Sequence, residues 1–201
     1  MTNELPTSAP AERNKEPILR ILETVLPARG SVLEIASGTG QHVCFFAEHL
    51  PGLRWQPTEP DTPHREAIAT RIREAGLDNV EQPIALDVAE PRWPVSSSYD
   101  AILCINMVHI SPWSATNALC LGAAQHLSPG GTLVLYGPYL EHGTAAQSNL
   151  YFDASLKRRN AEWGLRDLED VTRVAALHGL HRQQVVQMPA NNLTVVFAKT
   201  L

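Results

Sequence analysis

Hydrophobic and polar positions along this chain switch repeatedly between a helical period and short apolar runs. From Asn14 to Leu26 the apolar residues Ile18, Leu19, Leu22, Val25 and Leu26 recur at helical spacing, and Pro27 stops the helix. The run Ser31–Ala36 predicts a strand. A helix from about Gln41 to Leu50 follows, with Val43, Phe46 and Leu50 on one side and Pro51-Gly52 as its breaker. Arg54–Thr58 predicts a second strand. Thr62–Ala75 predicts a helix with Asp61 as N-cap and Gly76 at the C-cap. Ile84-Ala85-Leu86 predicts a third strand. Ala101–Ile105 is the most apolar run and suits a parallel strand covered on both faces. Ser111-Pro112 predicts an N-cap and first helical position, with the helix reaching about Leu127. Ser128–Gly131 is a turn and Thr132–Tyr136 a strand. A helix over about Leu168–His178 ends at Gly179. Arg182–Met188 and Leu193–Lys199 then form two strands around the turn Pro189–Asn192. Alternating strands and helices predict an α/β fold with a mainly parallel sheet, helices on both faces and an antiparallel hairpin at the end.

In such sheets, ligands bind at the carboxyl ends of the strands. The first strand ends in Val32-Leu33-Glu34-Ile35-Ala36-Ser37-Gly38-Thr39-Gly40-Gln41-His42, a small-residue loop opening a helix. Glycines there let the backbone take conformations that a Cβ forbids and let a ligand approach closely. The dinucleotide fingerprint needs a third glycine where Val43 stands, and Glu34 would serve a pyrophosphate poorly. An ammonium and a sulfonium would be well served. Glu34-x-Ala36-x-Gly38-x-Gly40 resembles the first motif of the class I S-adenosylmethionine (SAM) methyltransferases, which implies that cofactor and a seven-stranded, mainly parallel sheet closed by such a hairpin.

Candidate residues follow at each strand end. Glu59 can accept hydrogen bonds from two ribose hydroxyls, or is an exposed loop acid. Asp87-Val88 resembles the methyltransferase pair in which an acid takes the adenine amino group and an apolar neighbour packs the ring. Asn106 and Met107 end the central strand; Met107 and Ile110 cover the adenine, line the transfer channel, or belong to the core. His109 is a candidate general base for an attacking hydroxyl, thiol or amine, or a histidine satisfied by a backbone carbonyl. His42 lies on the first helical turn of the loop and is read as a contact residue. Asn14 is a candidate for the cofactor carboxylate, with Arg13 beside it, or an N-cap.

Residues 137–166 are too many for a simple connection. Their aromatics, amides and charges predict a substrate cap, with Tyr139, Asn149 and Tyr151 as substrate contacts, or else a surface excursion with a short helix from Leu150 to Arg159. Within the N-terminal segment, residues 1–16, Glu12-Arg13-Asn14-Lys15 is expected to close the site from the other side. Lys157-Arg158-Arg159 is read as a solvated helix face.

The chain has 201 residues, one domain by size, with 44% hydrophobic residues and a net charge of −5. Acidic charge argues against nucleic acid as a partner and leaves a small molecule as the expected substrate. Cys44, Cys104 and Cys120 lack metal-ligand spacing and read as buried thiols in a reducing compartment; the eight histidines suggest no metal site. No apolar run suits a membrane span and no secretory leader is visible, so a cytoplasmic protein is expected.

Longer strings resemble one small family of methyltransferase-like proteins classed as a domain of unknown function, which includes methyltransferase-like protein 26. They are Ala11–Ile18, Glu34–His42, Trp55-Gln56-Pro57, Ile105–Trp113, Tyr136–Tyr139, Ser148-Asn149, Phe152-Asp153 and Trp163–Asp167. The resemblance implies the fold and SAM, and brings no substrate. Thr58-Glu59 stands where Ser-Asp is expected, which keeps the acid and lengthens its reach. A non-catalytic SAM-binding module is the alternative, since no further catalytic motif is present. A nicotinamide oxidoreductase fits less well.

Overall fold

A computed structural model describes residues 5–95 and 98–200. The helices are α1 (Ala9–Val25), α2 (Gln41–His49), α3 (Thr62–Ala75), α4 (Trp113–His126), α5 (Gln147–Arg159) and α6 (Leu168–Leu177). The strands are β1 (Gly30–Ile35), β2 (Leu53–Pro57), β3 (Tyr99–Ile105), β4 (Leu127–Gly137), β5 (Tyr139–Leu140), β6 (Arg166–Asp167), β7 (Leu180–Met188) and β8 (Asn192–Lys199).

The main sheet has six strands in the order β2-β1-β3-β4-β8-β7. The first four run parallel, and β8 pairs antiparallel with both β4 and β7. Side chains alternate across it. Leu33, Ile35, Ile102 and Cys104 join one core layer with Leu119 of α4 and Val171 of α6. Val32, Leu103 and Ile105 join the other with Ile18, Phe46 and Ile68 of α1, α2 and α3. This period of two gives both faces their helices.

The expected seventh strand does not form. Residues 79–84 run beside β2, making isolated bridges between Trp55 and Val80 and between Thr58 and Ile84. Trp55 N donates to Asn79 O and Glu81 N donates to Trp55 O. Both donors of the next rung would be the nitrogens of Pro57 and Pro83, which carry no hydrogen. The pairing resumes one residue out of step, with Ile84 N donating to Pro57 O and Glu59 N to Ile84 O.

Other boundaries shift for local reasons. Helix α1 begins five residues earlier than its apolar periodicity, at Ala9, and accommodates Pro17. Pro112, not Ser111, is the N-cap residue of α4, and the buried Ser111 hydroxyl has no partner among the described residues. Asp61 caps α3 by accepting from His64 N, and Gly76 closes it in the left-handed conformation. The predicted turn at Ser128–Gly131 is an excursion inside β4, where the register against β3 jumps. The three cysteines are free and buried. Burial raises the Cys44 and Cys120 thiols to about 12, so neither is a reactive thiolate at neutral pH. No helix among the described residues is long and apolar enough to cross a membrane.

Candidate active site

The carboxyl ends of the parallel strands carry two adjoining groups of residues. The first surrounds the loop after β1. Ala36, Gly38 and Gly40 all have positive φ, at 54°, 57° and 80°. At Gly40 an added Cβ would lie 3.0 Å from Ile68 Cγ1, whereas at Gly38 it would face open space. The loop is laced to the end of β2. Ser37 N donates to Thr58 O (2.8 Å), Thr58 N to Glu34 O (2.9 Å) and Thr58 Oγ1 to Glu34 O (2.7 Å). Glu59 is buried and accepts from Gly38 N (2.9 Å) and Asp61 N (3.2 Å).

Glu34 is 1% exposed, and its Oε2 has no hydrogen-bond donor among the described residues. Burial raises its carboxyl to about 8; the Ser37 hydroxyl opposes this and the Glu59 charge adds to it. Two neighbouring buried acids, one with an orphaned oxygen, complement a cationic or hydroxyl-bearing ligand. Asp87 is exposed and accepts from Ala89 N, while Val88 is buried beside it.

The second group lines a cavity of about 780 Å³, within the range of small-molecule sites. Its floor is the strand ends, with Asn106, His109, Tyr136 and Pro138. Helix α1 closes one side with Ser8 to Pro17, α5 the other with Asn149, Phe152 and Arg159, and the turn before β8 completes the rim. His109 is 5% exposed and its ring meets Phe152 edge-on at 5.6 Å. Burial, then the nearby Arg166 charge, lowers it to about 4, so its imidazole is neutral at pH 7. Gly137 leaves room for that ring: a Cβ there would lie 3.0 Å from His109 Nδ1.

The two groups meet at Asn14. Its Oδ1 accepts from His42 Nε2 (2.7 Å), and its side chain is also hydrogen-bonded to Tyr136. Burial lowers His42 to about 4, which leaves it a neutral donor. Gln41 Nε2 donates to Glu12 Oε1, tying α1 to the loop. Arg166 staples the cap to the loop after β3, donating to Val108 O, Ser111 O and Glu162 O.

The structure thus brings Asn14, Asn106, His109 and Asn149 to one cavity. Glu34, Ala36, Ser37, Gly38, Gly40 and Glu59 sit at the adjoining loop, with His42 between. Met107 is half-buried and packs against the core. Two expected substrate contacts lie elsewhere. Tyr139 pairs with Arg166 through β5 and β6, which turns its ring into the core, where its buried hydroxyl has no partner among the described residues. Tyr151 is 69% exposed on α5 and does not line the cavity. Asn149 does line it, and its Nδ2 donates to Asn191 O (2.8 Å), joining the cap to the turn before β8.

Arg159, Tyr136 and the 189–192 turn were not legible as site residues. A signal for the turn existed: Gly137 pairs with Leu193, so an antiparallel β8 starts beside the carboxyl end of β4. Arg159 belongs to a basic run that reads as a solvated face; all three of its residues are exposed, and Arg159 also borders the cavity.

A family model described as "Protein of unknown function (DUF938)" matches residues 6–199, and the chain belongs to that family. The match does not itself reach methyltransferase-like protein 26. Solved structures share the class I methyltransferase fold. Mitomycin 7-O-methyltransferase MmcR superposes with a TM-score of 0.79 at 17% identity, covering 94% of this chain and 54% of that one. An O-methyltransferase family protein from Burkholderia thailandensis gives 0.77 at 15%, covering 94% and 59%. CalO1, a methyltransferase in calicheamicin biosynthesis with SAH (S-adenosylhomocysteine) bound, gives 0.72 at 14%, covering 94% and 54%. The chain spans little more than half the length of these proteins.

Proposed function

We propose that the protein is a SAM-dependent methyltransferase acting on a small molecule. The observation that carries this reading is the Glu34–Glu59 pair at the β1 loop, with one carboxylate oxygen orphaned in the interior. A pyrophosphate would be repelled there, while an ammonium and ribose hydroxyls would be complemented. The O-methyltransferase neighbours support the reading through their fold. When bound, SAM supplies a methyl group already activated by positive sulfur.

Glu34 would hold the ammonium end and Glu59 the ribose hydroxyls. The backbone of Ala36, Ser37, Gly38 and Gly40 would cradle the cofactor, and Asp87 with Val88 would take the adenine. Asn14, His42, Asn106 and Met107 would supply the remaining contacts. His109, neutral at pH 7, would accept a proton at a ring nitrogen. A group lowered to about 4 is a weak base, so it serves an acidic hydroxyl better than an amine. Helices α1 and α5 exclude water and orient the substrate, with Asn149 and Phe152 as the cap's contribution.

The test is incubation with methyl-labelled SAM and a panel of small hydroxyl, thiol and amine compounds, read as SAH formation. His109→Ala is expected to lower kcat by roughly 10²-fold with SAH affinity unchanged. Turnover within a few-fold of the parent would remove the base assignment. SAM binding with no product across the panel would favour a non-catalytic SAM-binding module.

A further inference from the structure

The cavity's charge contradicts the chain's. The protein carries 21 acidic and 16 basic residues, yet the lining holds two arginines, Arg13 and Arg159, and no aspartate or glutamate. Neither guanidinium forms an ion pair among the described residues, although five other lysine or arginine pairs form there. Lys157, two residues before Arg159, is paired with Asp153 at 2.6 Å. Arg159 instead stands over the Trp163 ring, 5.1 Å from its centroid. That contact presets the guanidinium without neutralising it. The lining also carries the apolar side chains of Ile110, Pro138, Phe152 and Pro189.

We infer that the substrate is a flat, apolar small molecule bearing a carboxylate, and that Arg159 receives that carboxylate. This deepens, and rests on, the methyltransferase reading of the same site. An unpaired guanidinium presents a planar fork that matches a carboxylate. Prolines and an aromatic edge offer a flat surface with little side-chain entropy to lose. Asn149 is committed to the Asn191 carbonyl, and Arg159 is the charged donor that α5 contributes to the cavity lining. Arg13 lies on α1 beside Asn14 and is assigned to the cofactor's own carboxylate. An anion bound in the cavity would also favour the protonated form of His109 and so strengthen it as a base.

The test uses hydroxybenzoates and hydroxycinnamates, each paired with its neutral carboxamide, titrated into the full-length protein saturated with SAH. The acids are expected to bind about tenfold or more tightly than the amides, and the preference should shrink as salt is raised. Arg159→Gln should erase the preference while leaving amide and SAH binding unchanged; Arg159→Lys should keep part of it. Arg13→Gln should weaken SAH and leave the preference intact. Equal binding of acids and amides, binding of neither, or a preference that survives Arg159→Gln overturns the inference. Loss of the preference in Arg13→Gln instead would overturn the assignment to Arg159. Failure of SAH to bind, with the acid preference intact in the protein alone, would sink the cofactor reading and spare the carboxylate site.

Discussion

Glu34→Gln should make this protein more stable and less able to hold its cofactor. The side chain is fully enclosed, and burial raises its carboxyl from 4.5 to about 8. That difference corresponds to roughly 4–5 kcal/mol. The sign follows from which state binds the proton more tightly. The folded protein does, so the contribution of Glu34 to stability is complete below about pH 4.5 and is lost as pH rises to about 8. Glutamine has nearly the same shape and never ionises. At pH 5 the two proteins should therefore unfold at similar urea concentrations, and at pH 8.5 the variant should be more stable by several kcal/mol. The assay is urea unfolding at intervals from pH 5 to 9, with the slope checked for constancy. Function should move the opposite way. SAM affinity should fall by about tenfold or more once the carboxylate is gone. In the parent, SAM binding below pH 8 should release up to one proton, measurable by calorimetry in buffers of different ionisation enthalpy. A variant less stable than the parent at pH 8.5, or one that binds SAM as the parent does, would refute the reasoning.

Other substitutions test separate parts of the fold and loop. Ala36 holds φ 54° where glycine is unstrained, so Ala36→Gly should stabilise the protein by up to about 1 kcal/mol, seen as a rise of a few degrees in Tm. A Cβ at position 122 would come within 2.1 Å of Trp93 Cζ2; Gly122→Ala should cost about 1–3 kcal/mol in urea unfolding, and Trp93→Leu should reduce that cost. Asp167 caps α6 through Glu169 N and also accepts from Gly143 N, which with burial opposing leaves its carboxyl below the usual range. Asp167→Ala should cost about 1 kcal/mol at pH 7, and the difference should shrink as pH falls below 3.8, where the unfolded chain takes up the proton first.

Much of this was legible because local chemistry decided it. The α3 boundaries follow from Asp61 and Gly76, and the hairpin from two β-rich runs around Pro189–Asn192. The β1 loop follows from its small residues. Other features depended on partners that sequence does not reveal. Ile84–Leu86 has strand composition, but the two prolines that spoil its rung face one another only in this register. Tyr139 and Tyr151 are alike as residues; the β5–β6 pairing buries one and the face of α5 exposes the other. Arg159 is exposed, as its basic run suggests, and it borders the cavity only because α5 stands across from α1 and the 189–192 turn.

The central claim is that the β1 loop of this chain holds SAM. Calorimetric titration of the purified protein with SAM, SAH and NADH in parallel tests it most directly. Micromolar binding of SAM and SAH, lost in a Glu59→Ala variant, with no heat from NADH, is the predicted result. No binding of either SAM-derived ligand, or binding of NADH in their place, would contradict the account.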